Sequence, residues 1–302
     1  MRVLVTGGCG FIGHHLIARL AERNHDVVVL DDLSTGVVSR LPKGTALIQG
    51  DVADRAGCDR AMAGVEACLH LAAIASVQVC QEDWTRATQV NLLGTVNVLA
   101  AAAAAGNVPV VYASSAAVYG DLPPPAAEDA PCRPLGNYGV DKFAGEQHAR
   151  AAGLATGLPT FGLRFFNVFG PGQDPSSPYS GVIARFADRL RAGDVPTIYG
   201  DGQQSRDFVY VEDVVAAILS ALERTSATAP VVNVCTGRSV DLVTLAAEMS
   251  ELLGQAHAPS FEPARPGDIR HSRGDPALAE QLLGVRAQTP LRQGLQALLA
   301  DH

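Results

Sequence analysis

Two side chains whose spacing could support proton transfer are Tyr138 and Lys142. Residues four apart on a helix lie on the same side, about one turn from each other. A phenol has a pKa of about 10 and a nearby ammonium group favours the phenolate, so the lysine could prepare the tyrosine to act as a general base. Ser115 ends an apolar run earlier in the chain and could hydrogen-bond to the hydroxyl that Tyr138 deprotonates. The Tyr-x-x-x-Lys spacing is common by chance, so this interpretation depends on the fold around it.

A glycine-rich segment near the first residue could bind a diphosphate. Gly7, Gly10 and Gly13 follow the pattern G-x-x-G-x-x-G between an apolar run and an amphipathic stretch. Glycines let the backbone turn tightly and approach a pyrophosphate, which the N–H groups and the dipole of the next helix then face. Asp31 ends the following apolar run, where a carboxylate can accept hydrogen bonds from the adenosine ribose and repel a 2′-phosphate. Because no arginine follows directly, the sequence predicts NAD rather than NADP.

Apolar runs with helical stretches between them predict the framework that positions these residues. Strands are predicted at Val3–Val5, Val27–Leu30, Ala46–Ile48, Ala67–Leu71, Pro109–Ala113 and Pro159–Arg164. Continuous apolar strands suit a parallel sheet that helices cover on both faces. Because strand and helix alternate, the pattern predicts an α/β protein with a doubly wound parallel sheet, the Rossmann arrangement. Residues 1–165 are therefore assigned to a dinucleotide-binding domain, joined by part of residues 203–235.

The second half of the chain has a different texture. A Gly- and Pro-rich loop follows residue 169, and Pro-rich segments recur between residues 259 and 276. Helices are predicted at Val182–Ala192, Val211–Glu223 and Leu242–Leu253. Residues 166–302 are therefore expected to form a smaller α/β substrate domain that is not fully contiguous.

The longest helical candidate, Arg86–Ala105, ends in a run of alanines and is stopped by Gly106. Alanine is the best helix former, and its small side chain lets another helix approach closely. The run could serve internal packing alone or a contact between subunits. The alanine- and glycine-rich helix predicted at Phe143–Ala155 is the natural partner for it.

Composition excludes several classes of protein. With 302 residues, of which 47% are hydrophobic, the chain can form about two domains and is not a disordered protein. A formal net charge of −8 without a dense basic block argues against a nucleic-acid partner. The six cysteines form no C-x-x-C pair, so we expect free thiols in a reducing cytosol, a cytoplasmic protein and no metal. No apolar run reaches the ~18 residues of a membrane span, so no membrane association is expected.

The motifs of the chain resemble those of the extended short-chain dehydrogenases/reductases, and among these the NAD-dependent nucleotide-sugar 4-epimerases. The segments that carry the resemblance are Thr6–Gly13, Asp31–Ser34, Gly50–Val52, His70–Ala73, Asn91–Thr95, Ser114–Gly120, Tyr138–Lys142, Arg164–Pro171, Gly200–Gly202, Arg206–Val209 and Arg265–Asp268. The resemblance implies NAD as cofactor and inversion at C4 of a UDP-hexose, such as UDP-glucose or UDP-N-acetylglucosamine, through a transient 4-keto sugar. It also implies a homodimer formed through the two alanine-rich helices.

The resemblance further implies a role for each matching residue. Tyr138 would be the base, Lys142 its electrostatic partner, which also holds the nicotinamide ribose, and Ser115 the group that orients the sugar. The cofactor would be held by Gly7, Gly10, Phe11, Ile12, Gly13, Asp31, Asp32, Ser34, Thr35, Gly36, Asp51, Val52, Leu71, Ala72, Ala73, Asn91, Ser114, Tyr138, Lys142 and Phe165. The nucleotide sugar would contact Ser115, Asn167, Val182, Thr197, Tyr199, Arg206, Arg265, Asp268 and Ser272. Of these, the two arginines would clamp the pyrophosphate.

Other activities are compatible with these motifs to different degrees. Dehydratases of the superfamily carry an Asp-Glu pair just after the active Ser or Thr, where this chain has Ala116 and Ala117. Uronate 4-epimerases typically have an arginine in the loop after Gly-Pro, which Gly172–Asp174 lacks, so a UDP-glucuronate 4-epimerase is disfavoured. Ser272 stands where a bulky aromatic residue is associated with exclusion of N-acetyl groups, so we predict an open sugar pocket. A nucleotide-sugar reductase and a non-catalytic dinucleotide-binding protein are the remaining alternatives.

Overall fold

The computed structural model describes residues 1–174, 181–255, 258–264 and 269–301. Its strands are β1 (Arg2–Thr6), β2 (Asp26–Asp31), β3 (Ala46–Gln49), β4 (Ala67–His70), β5 (Val110–Ser115), β6 (Thr160–Phe165), β7 (Asn167–Phe169), β8 (Thr197–Tyr199), β9 (Ser205–Arg206), β10 (Phe208–Tyr210), β11 (Val231–Val234), β12 (Val240–Asp241), β13 (Ser260–Glu262) and β14 (His271–Ser272). Seven of them form one sheet in the order β11-β6-β5-β4-β1-β2-β3, in which every neighbouring pair is parallel. The predicted doubly wound sheet is confirmed.

Helices cover both faces of this sheet. The α-helices are α1 (Phe11–Glu22), α2 (Arg55–Met62), α3 (Val77–Glu82), α4 (Trp84–Thr88), α5 (Gly94–Ala104), α6 (Asn137–Thr156), α7 (Val182–Arg191), α8 (Val211–Leu222), α9 (Leu242–Leu252), α10 (Ala277–Leu283) and α11 (Leu291–Ala300). On one face, Leu16 of α1 and Val214 of α8 are buried in the same apolar cluster. On the other, Met62 of α2, Val98 of α5 and Ala149 of α6 share a second cluster. Burial on both faces explains why the strands are apolar throughout.

Each predicted strand appears within two residues of its expected ends, whereas the seventh strand was not predicted. Within β2, the segment Val27–Leu30 is buried throughout, as expected for a central parallel strand. The seventh strand, β11, comes from the second half of the chain and pairs with β6 at the edge of the sheet. The elements of the sheet are therefore drawn from both halves of the sequence.

The helix predicted at Arg86–Ala105 is interrupted by a wider turn. A π-helical segment, Gln89–Leu93, lies between α4 and α5. Asn91 in this segment is 1% exposed, and its amide accepts a hydrogen bond from Ile74 N at 2.8 Å and donates one to Ile74 O at 3.1 Å. The prediction was wrong at this point because apolar periodicity does not reveal a single widened turn, which is often a functional feature.

The stretch Trp84–Ala104 also bears on the membrane expectation. Among the described residues, it is the one helical stretch long and apolar enough to span a bilayer by composition, with 21 residues and a mean hydropathy of 1.2. However, 56% of the most apolar 18-residue part of this stretch is buried inside the protein. Ala101 and Ala102 are buried beside Leu99 in the cluster shared with α2 and α6. The alanine run therefore contributes to internal packing, and the stretch is a core helix.

The rest of the second half forms three small sheets around another apolar core. Helices α7, α9 and α11 supply this core. β7 pairs in parallel with β10, and β8 with β13, whereas β9 lies between antiparallel β12 and parallel β14. In the last pair Arg206 lies directly opposite Ser272. Two residues predicted to contact the substrate are thus neighbours although they are far apart in sequence.

Candidate active site

A cavity of about 670 Å³ lies between the carboxyl edge of the large sheet and the small sheet that contains β9 and β14. Its volume is typical of a small-molecule binding site. On the side of the large sheet, the lining includes Gly10 in the loop after β1, Asp31 at the end of β2 and Ser115 at the end of β5. On the side of the small sheet, it includes Arg206 and Ser272. Since ligands of open α/β sheets bind outside the carboxyl ends of the strands, this cavity is the candidate active site.

The glycine-rich loop between β1 and α1 has no room for side chains. Gly7 has a φ of +68°, and a Cβ on it would lie 2.7 Å from Ala72 N. A Cβ on Gly13 would clash with the Gly7 carbonyl oxygen and with the backbone of Gly8. Gly10 caps α1 without a side-chain hydrogen bond. The N–H groups at the start of α1 are therefore open to a diphosphate, as the motif predicts.

Asp31 lies at the end of β2, in the cavity wall, and is 7% exposed. Its Oδ2 accepts a hydrogen bond from Cys9 N at 2.9 Å, and its Oδ1 accepts one from Leu33 N at 2.9 Å. Burial raises the pKa of this carboxyl, while these two hydrogen bonds act in the opposite direction. Each carboxylate oxygen keeps a lone pair for a ribose hydroxyl, so the residues present fit the adenosine half of NAD.

Sequence reasoning missed Arg86, which connects two predicted cofactor-binding carboxylates. Its Nη1 lies 2.6 Å from Asp51 Oδ2, and its Nη2 lies 3.6 Å from Asp32 Oδ2. Both carboxylates line the cavity, whereas the arginine reaches them from α4. Arg86 therefore fixes these two side chains at the cofactor end. No sequence signal pointed to it, because the three residues lie on three separate elements.

The three predicted catalytic side chains meet in the cavity. Tyr138 and Lys142 lie one turn apart on α6, with Lys142 Nζ 5.9 Å from the centre of the Tyr138 ring. The Ser115 side chain is close enough to the Tyr138 hydroxyl to lower its pKa, and Ser115 Oγ accepts a hydrogen bond from Ala117 N at 3.1 Å. Lys142 Nζ donates to the Ala113 carbonyl at 3.0 Å. The arrangement can move a proton between Tyr138 and a hydroxyl placed beside Ser115.

The electrostatics of this cluster bear on the expectation that Lys142 and a positively charged nicotinamide ring together favour the phenolate of Tyr138. Burial raises the pKa of Tyr138 to about 12, although the adjacent Ser115 side chain lowers it in part. Burial also lowers the pKa of Lys142 to about 8. Lys142 alone is therefore not enough to favour the phenolate of Tyr138, because the effect of desolvation on the pKa of Tyr138 is larger. The positive charge of an oxidised nicotinamide ring, entering the same cavity, is what would bring the phenol towards its working range.

A buried ion pair supports the catalytic strand from behind. Arg164 donates from Nε and Nη2 to the two carboxylate oxygens of Glu146, at 2.9 and 2.7 Å. Glu146 also accepts a hydrogen bond from Ser114 Oγ at 2.5 Å. From the same guanidinium, Nη1 donates to the Tyr119 hydroxyl at 2.8 Å, which in turn donates to Asn233 Oδ1 at 2.7 Å. This network joins β5, α6, β6 and β11 and so fixes the end of β5 relative to the catalytic helix.

The opposite wall is held by Asp207, which is fully buried. Its Oδ1 accepts hydrogen bonds from Thr236 N at 2.9 Å and Thr236 Oγ1 at 2.6 Å, and its Oδ2 accepts one from Gly237 N at 3.0 Å. Burial raises the pKa of Asp207, and these hydrogen bonds counteract the shift. The carboxylate thereby fixes the backbone next to Arg206, which faces the cavity.

Most of the predicted site residues line the cavity. They are Gly7, Gly10, Phe11, Ile12, Gly13, Asp31, Asp32, Ser34, Thr35, Gly36, Asp51, Val52, Leu71, Ala72, Ala73, Ser114, Ser115, Tyr138, Lys142, Phe165, Asn167, Arg206 and Ser272. The lining also includes Arg40, Gln81 and Arg273, which the sequence analysis did not select. They belong to loops or helix ends without a motif, so no local signal identified them.

Four predicted residues that the structure describes are not found in the lining. They are Asn91, Val182, Thr197 and Tyr199. Asn91 lies behind the wall and holds the backbone of Ile74, so any effect on a cofactor is indirect. Val182 begins α7 directly after Gly181, which does line the cavity, whereas the other two lie on β8. Arg265 and Asp268 lie outside the described residues.

The Rossmann sheet, the glycine-rich loop and the Ser-Tyr-Lys cluster together define a short-chain dehydrogenase/reductase. More narrowly, the chain belongs to the NAD-dependent epimerase/dehydratase family, whose model matches residues 3–235. NAD is therefore the cofactor of the family to which this chain belongs, and the prediction made from Gly7, Gly10, Gly13 and Asp31 is confirmed.

Relatives of known name match along nearly the whole chain. A UDP-glucose 4-epimerase of Mycolicibacterium smegmatis is 37% identical over 304 residues, which cover 98% of this chain and 96% of that protein. The UDP-glucose 4-epimerase of Thermotoga maritima, solved with UDP-glucose, is 33% identical with a TM-score of 0.95 and covers 99% of this chain and 97% of its own. A UDP-N-acetylglucosamine 4-epimerase of Methanobrevibacter ruminantium M1 has been solved with UDP-N-acetylmuramic acid. It is 32% identical with a TM-score of 0.93, and the match covers 99% of this chain and 96% of that protein. This chain is a nucleotide-sugar epimerase of the short-chain dehydrogenase/reductase type.

Proposed function

We propose that the protein inverts C4 of a UDP-hexose: UDP-glucose/UDP-galactose, UDP-N-acetylglucosamine/UDP-N-acetylgalactosamine, or both. The observation that carries this proposal is the meeting of Ser115, Tyr138 and Lys142 in one cavity with the glycine-rich loop and Arg206. The first three can move a proton at a sugar hydroxyl, and a guanidinium fork suits a diphosphate. The cavity thus offers a place for the cofactor, the reacting sugar and the nucleotide diphosphate together.

The proposed reaction proceeds through a 4-keto sugar and uses one base twice. NAD, which the glycine-rich loop and Asp31 would hold, would supply a reversible hydride acceptor for C4 when bound. Tyr138, acting as a phenolate that Lys142 stabilises, accepts the proton of the 4-hydroxyl, which Ser115 orients, and becomes the neutral phenol. Arg206 holds the diphosphate while the keto sugar turns. Tyr138 then returns the proton, so the configuration at C4 is the net change.

The residues next to Ser115 favour epimerisation over dehydration. Ala116 and Ala117 follow it in the cavity wall and carry no acid or base. A methyl group can neither protonate a leaving hydroxyl nor remove the C5 proton. A dehydratase reaction would therefore need its acid and base from elsewhere in the cavity.

The size of residue 272 gives a test of sugar choice. Ser272 lines the cavity opposite Arg206, so its small side chain leaves room beside the sugar. We expect Ser272→Tyr to lower kcat/KM for UDP-N-acetylglucosamine at least tenfold more than for UDP-glucose, because a lost acyl subsite costs about 1–3 kcal/mol. Ser272→Ala is the matched control and should leave the ratio unchanged. Equal losses on both sugars for the tyrosine variant would show that this position does not determine sugar choice.

UDP-glucuronate is a second candidate substrate because of Arg273. This residue lines the cavity next to Ser272, and within the described part of the chain its side chain makes no hydrogen bond or ion pair. A guanidinium without a partner at the sugar end can bind a carboxylate in a two-point contact. This observation offsets the absence of an arginine from Gly172–Asp174, on which the sequence analysis disfavoured a uronate.

Proton NMR distinguishes the candidate substrates. UDP-glucose, UDP-N-acetylglucosamine and UDP-glucuronate are each incubated with purified protein without added cofactor. We expect the 4-epimer of at least one to accumulate to equilibrium, which identifies the substrate and shows that NAD co-purifies. If no sugar changes even after NAD is supplied, the proposed reaction on these substrates is wrong.

We also propose that the protein is a homodimer formed through α4, the π-helical turn and α6. The large apolar side chains of Trp84, Leu93 and Val140 on these elements are 68%, 45% and 50% exposed, and burial against a second copy would remove them from water. We expect the parent to sediment at twice its 31.4 kDa, and the double variant Leu93→Glu/Val140→Glu to sediment as a monomer. Leu282→Glu, at a 37% exposed position on α10, is the control. A monomeric parent would refute the proposal.

A further inference from the structure

Arg40 connects two segments across the rim of the cavity. It ends a short 3-10 turn, Val38–Arg40, that follows the predicted adenosine-binding segment Ser34–Gly36. Its Nη1 donates a hydrogen bond to the Gly172 carbonyl at 2.6 Å. Both residues line the cavity. The bond therefore joins the cofactor side of the cavity to the loop that follows β7 on the substrate side.

The Gly172 end of this connection is fixed on two further sides. Gly172 N donates to Asp301 Oδ2 at 2.6 Å. The residue has a φ of +77°, and a Cβ on it would lie 2.8 Å from the His14 ring. Only glycine therefore fits here without strain, and the chain is drawn close to α1. The next residue back is also held, because His15 Nε2 lies 2.9 Å from the Pro171 carbonyl oxygen.

The connection passes over the first turn of α1. His14 Nδ1 lies 3.1 Å from the carbonyl oxygen of Gly10, the residue that caps this helix. Burial lowers the pKa of His14 to about 4, and the positive charge of Arg40 acts in the same direction, so the ring that packs against Gly172 is neutral at physiological pH. The N-terminus of α1 is where the cofactor diphosphate is expected. The guanidinium of Arg40 thus lies at the rim, on the side of the cavity where the anionic diphosphate is expected.

We propose that Arg40 and Gly172 form a clasp that closes the cavity over the diphosphate of NAD and slows its release. The clasp acts in two ways. The hydrogen bond bridges the two sides of the opening, and the positive charge attracts the diphosphate. Such a device suits an enzyme that regenerates its cofactor in each cycle. It adds a positioning residue to the cofactor site, and it rests on NAD binding rather than on the identity of the sugar.

The test measures cofactor release from Arg40→Met, which keeps the length of the side chain and removes its charge and donors. Purified protein is loaded with labelled NAD, an excess of unlabelled NAD is added, and the bound label is followed over time without any sugar. We expect release to be about fivefold to tenfold faster than from the parent, the effect of one solvent-exposed hydrogen bond. A change below twofold would overturn the clasp.

Two further variants separate the clasp from general damage. Arg23→Met removes an exposed arginine at the end of α1 and should release NAD at the parental rate. Asp301→Ala removes the other hydrogen bond to Gly172 and should accelerate release in the same direction as Arg40→Met. The thermal midpoint of the NAD-free Arg40→Met protein should equal that of the parent. If this midpoint is lowered and Arg23→Met also releases NAD faster than the parent, the effect of Arg40→Met is not specific to the clasp. Because no sugar is present, failure of the proposed epimerase reaction leaves these results unchanged.

Discussion

Replacing Tyr138 by phenylalanine is expected to lower kcat by about 10²–10⁴-fold, the range that general acid–base groups contribute. The variant loses the hydroxyl that lies beside Ser115 and would exchange the proton of the sugar. The ring and the neighbouring Lys142 stay in place, so NAD should still be bound. The decisive measurement is the initial rate of 4-epimer formation by NMR, together with the NAD content of the purified variant.

Tyr112 offers a matched control for this substitution. It lies on β5 near the catalytic serine, is 3% exposed, and among the described residues its hydroxyl has no hydrogen-bond partner. Tyr112→Phe therefore removes a phenolic hydroxyl from another buried tyrosine without breaking a hydrogen bond, and the rate should be unchanged. If Tyr138→Phe retains more than a few per cent of the parental rate while Tyr112→Phe is fully active, Tyr138 is not the base.

Replacing Arg164 by methionine is expected to lower the free energy of unfolding by about 3–5 kcal/mol, the usual result of removing one partner of a buried ion pair. The Arg164 and Glu146 side chains are 6% and 3% exposed, so Glu146 would be left as a charge without its counter-ion. The substitution also removes a donor to the Tyr119 hydroxyl. Urea unfolding followed by circular dichroism measures the change.

The double variant Arg164→Met/Glu146→Leu tests the cause of that loss. An apolar pair of similar volume removes the orphaned charge, so the double variant should be more stable than Arg164→Met alone. Ser114 loses its acceptor in the double variant, which keeps it below the parent. If the double variant is less stable than Arg164→Met alone, the penalty does not come from an unpaired carboxylate.

Local motifs made several parts of the site predictable from sequence. The G-x-x-G-x-x-G pattern at Gly7, Gly10 and Gly13 requires only neighbouring residues to form its turn, so the diphosphate site could be inferred without a fold. Tyr138 and Lys142 are four apart on one helix, and the helical repeat alone places them on one side. The continuous apolar strands likewise followed from burial on both faces of the sheet.

Other features depend on contacts between distant segments and could not be read locally. Arg86 reaches Asp51 and Asp32 from another element, and the clasp between Arg40 and Gly172 joins parts of the chain that have no common motif. The widened turn at Gln89–Leu93 fits a helical apolar pattern as well as a regular helix does. Sequence patterns report the period of one element, whereas these contacts depend on how elements are arranged.

The sequence by itself determined the class of the fold and the cofactor and predicted the chemical types of the candidate catalytic groups, because each depends on a short pattern and on which side chains can carry out a given chemistry. Only the tertiary structure decided the protonation state of Tyr138 and the position of Ser115. Burial raises the pKa of that phenol to about 12, and desolvation is a property of everything packed around a group. The distance from Ser115 to the catalytic helix is set by the ion pair of Arg164 and Glu146, whose partners meet only when β6 and α6 pack together.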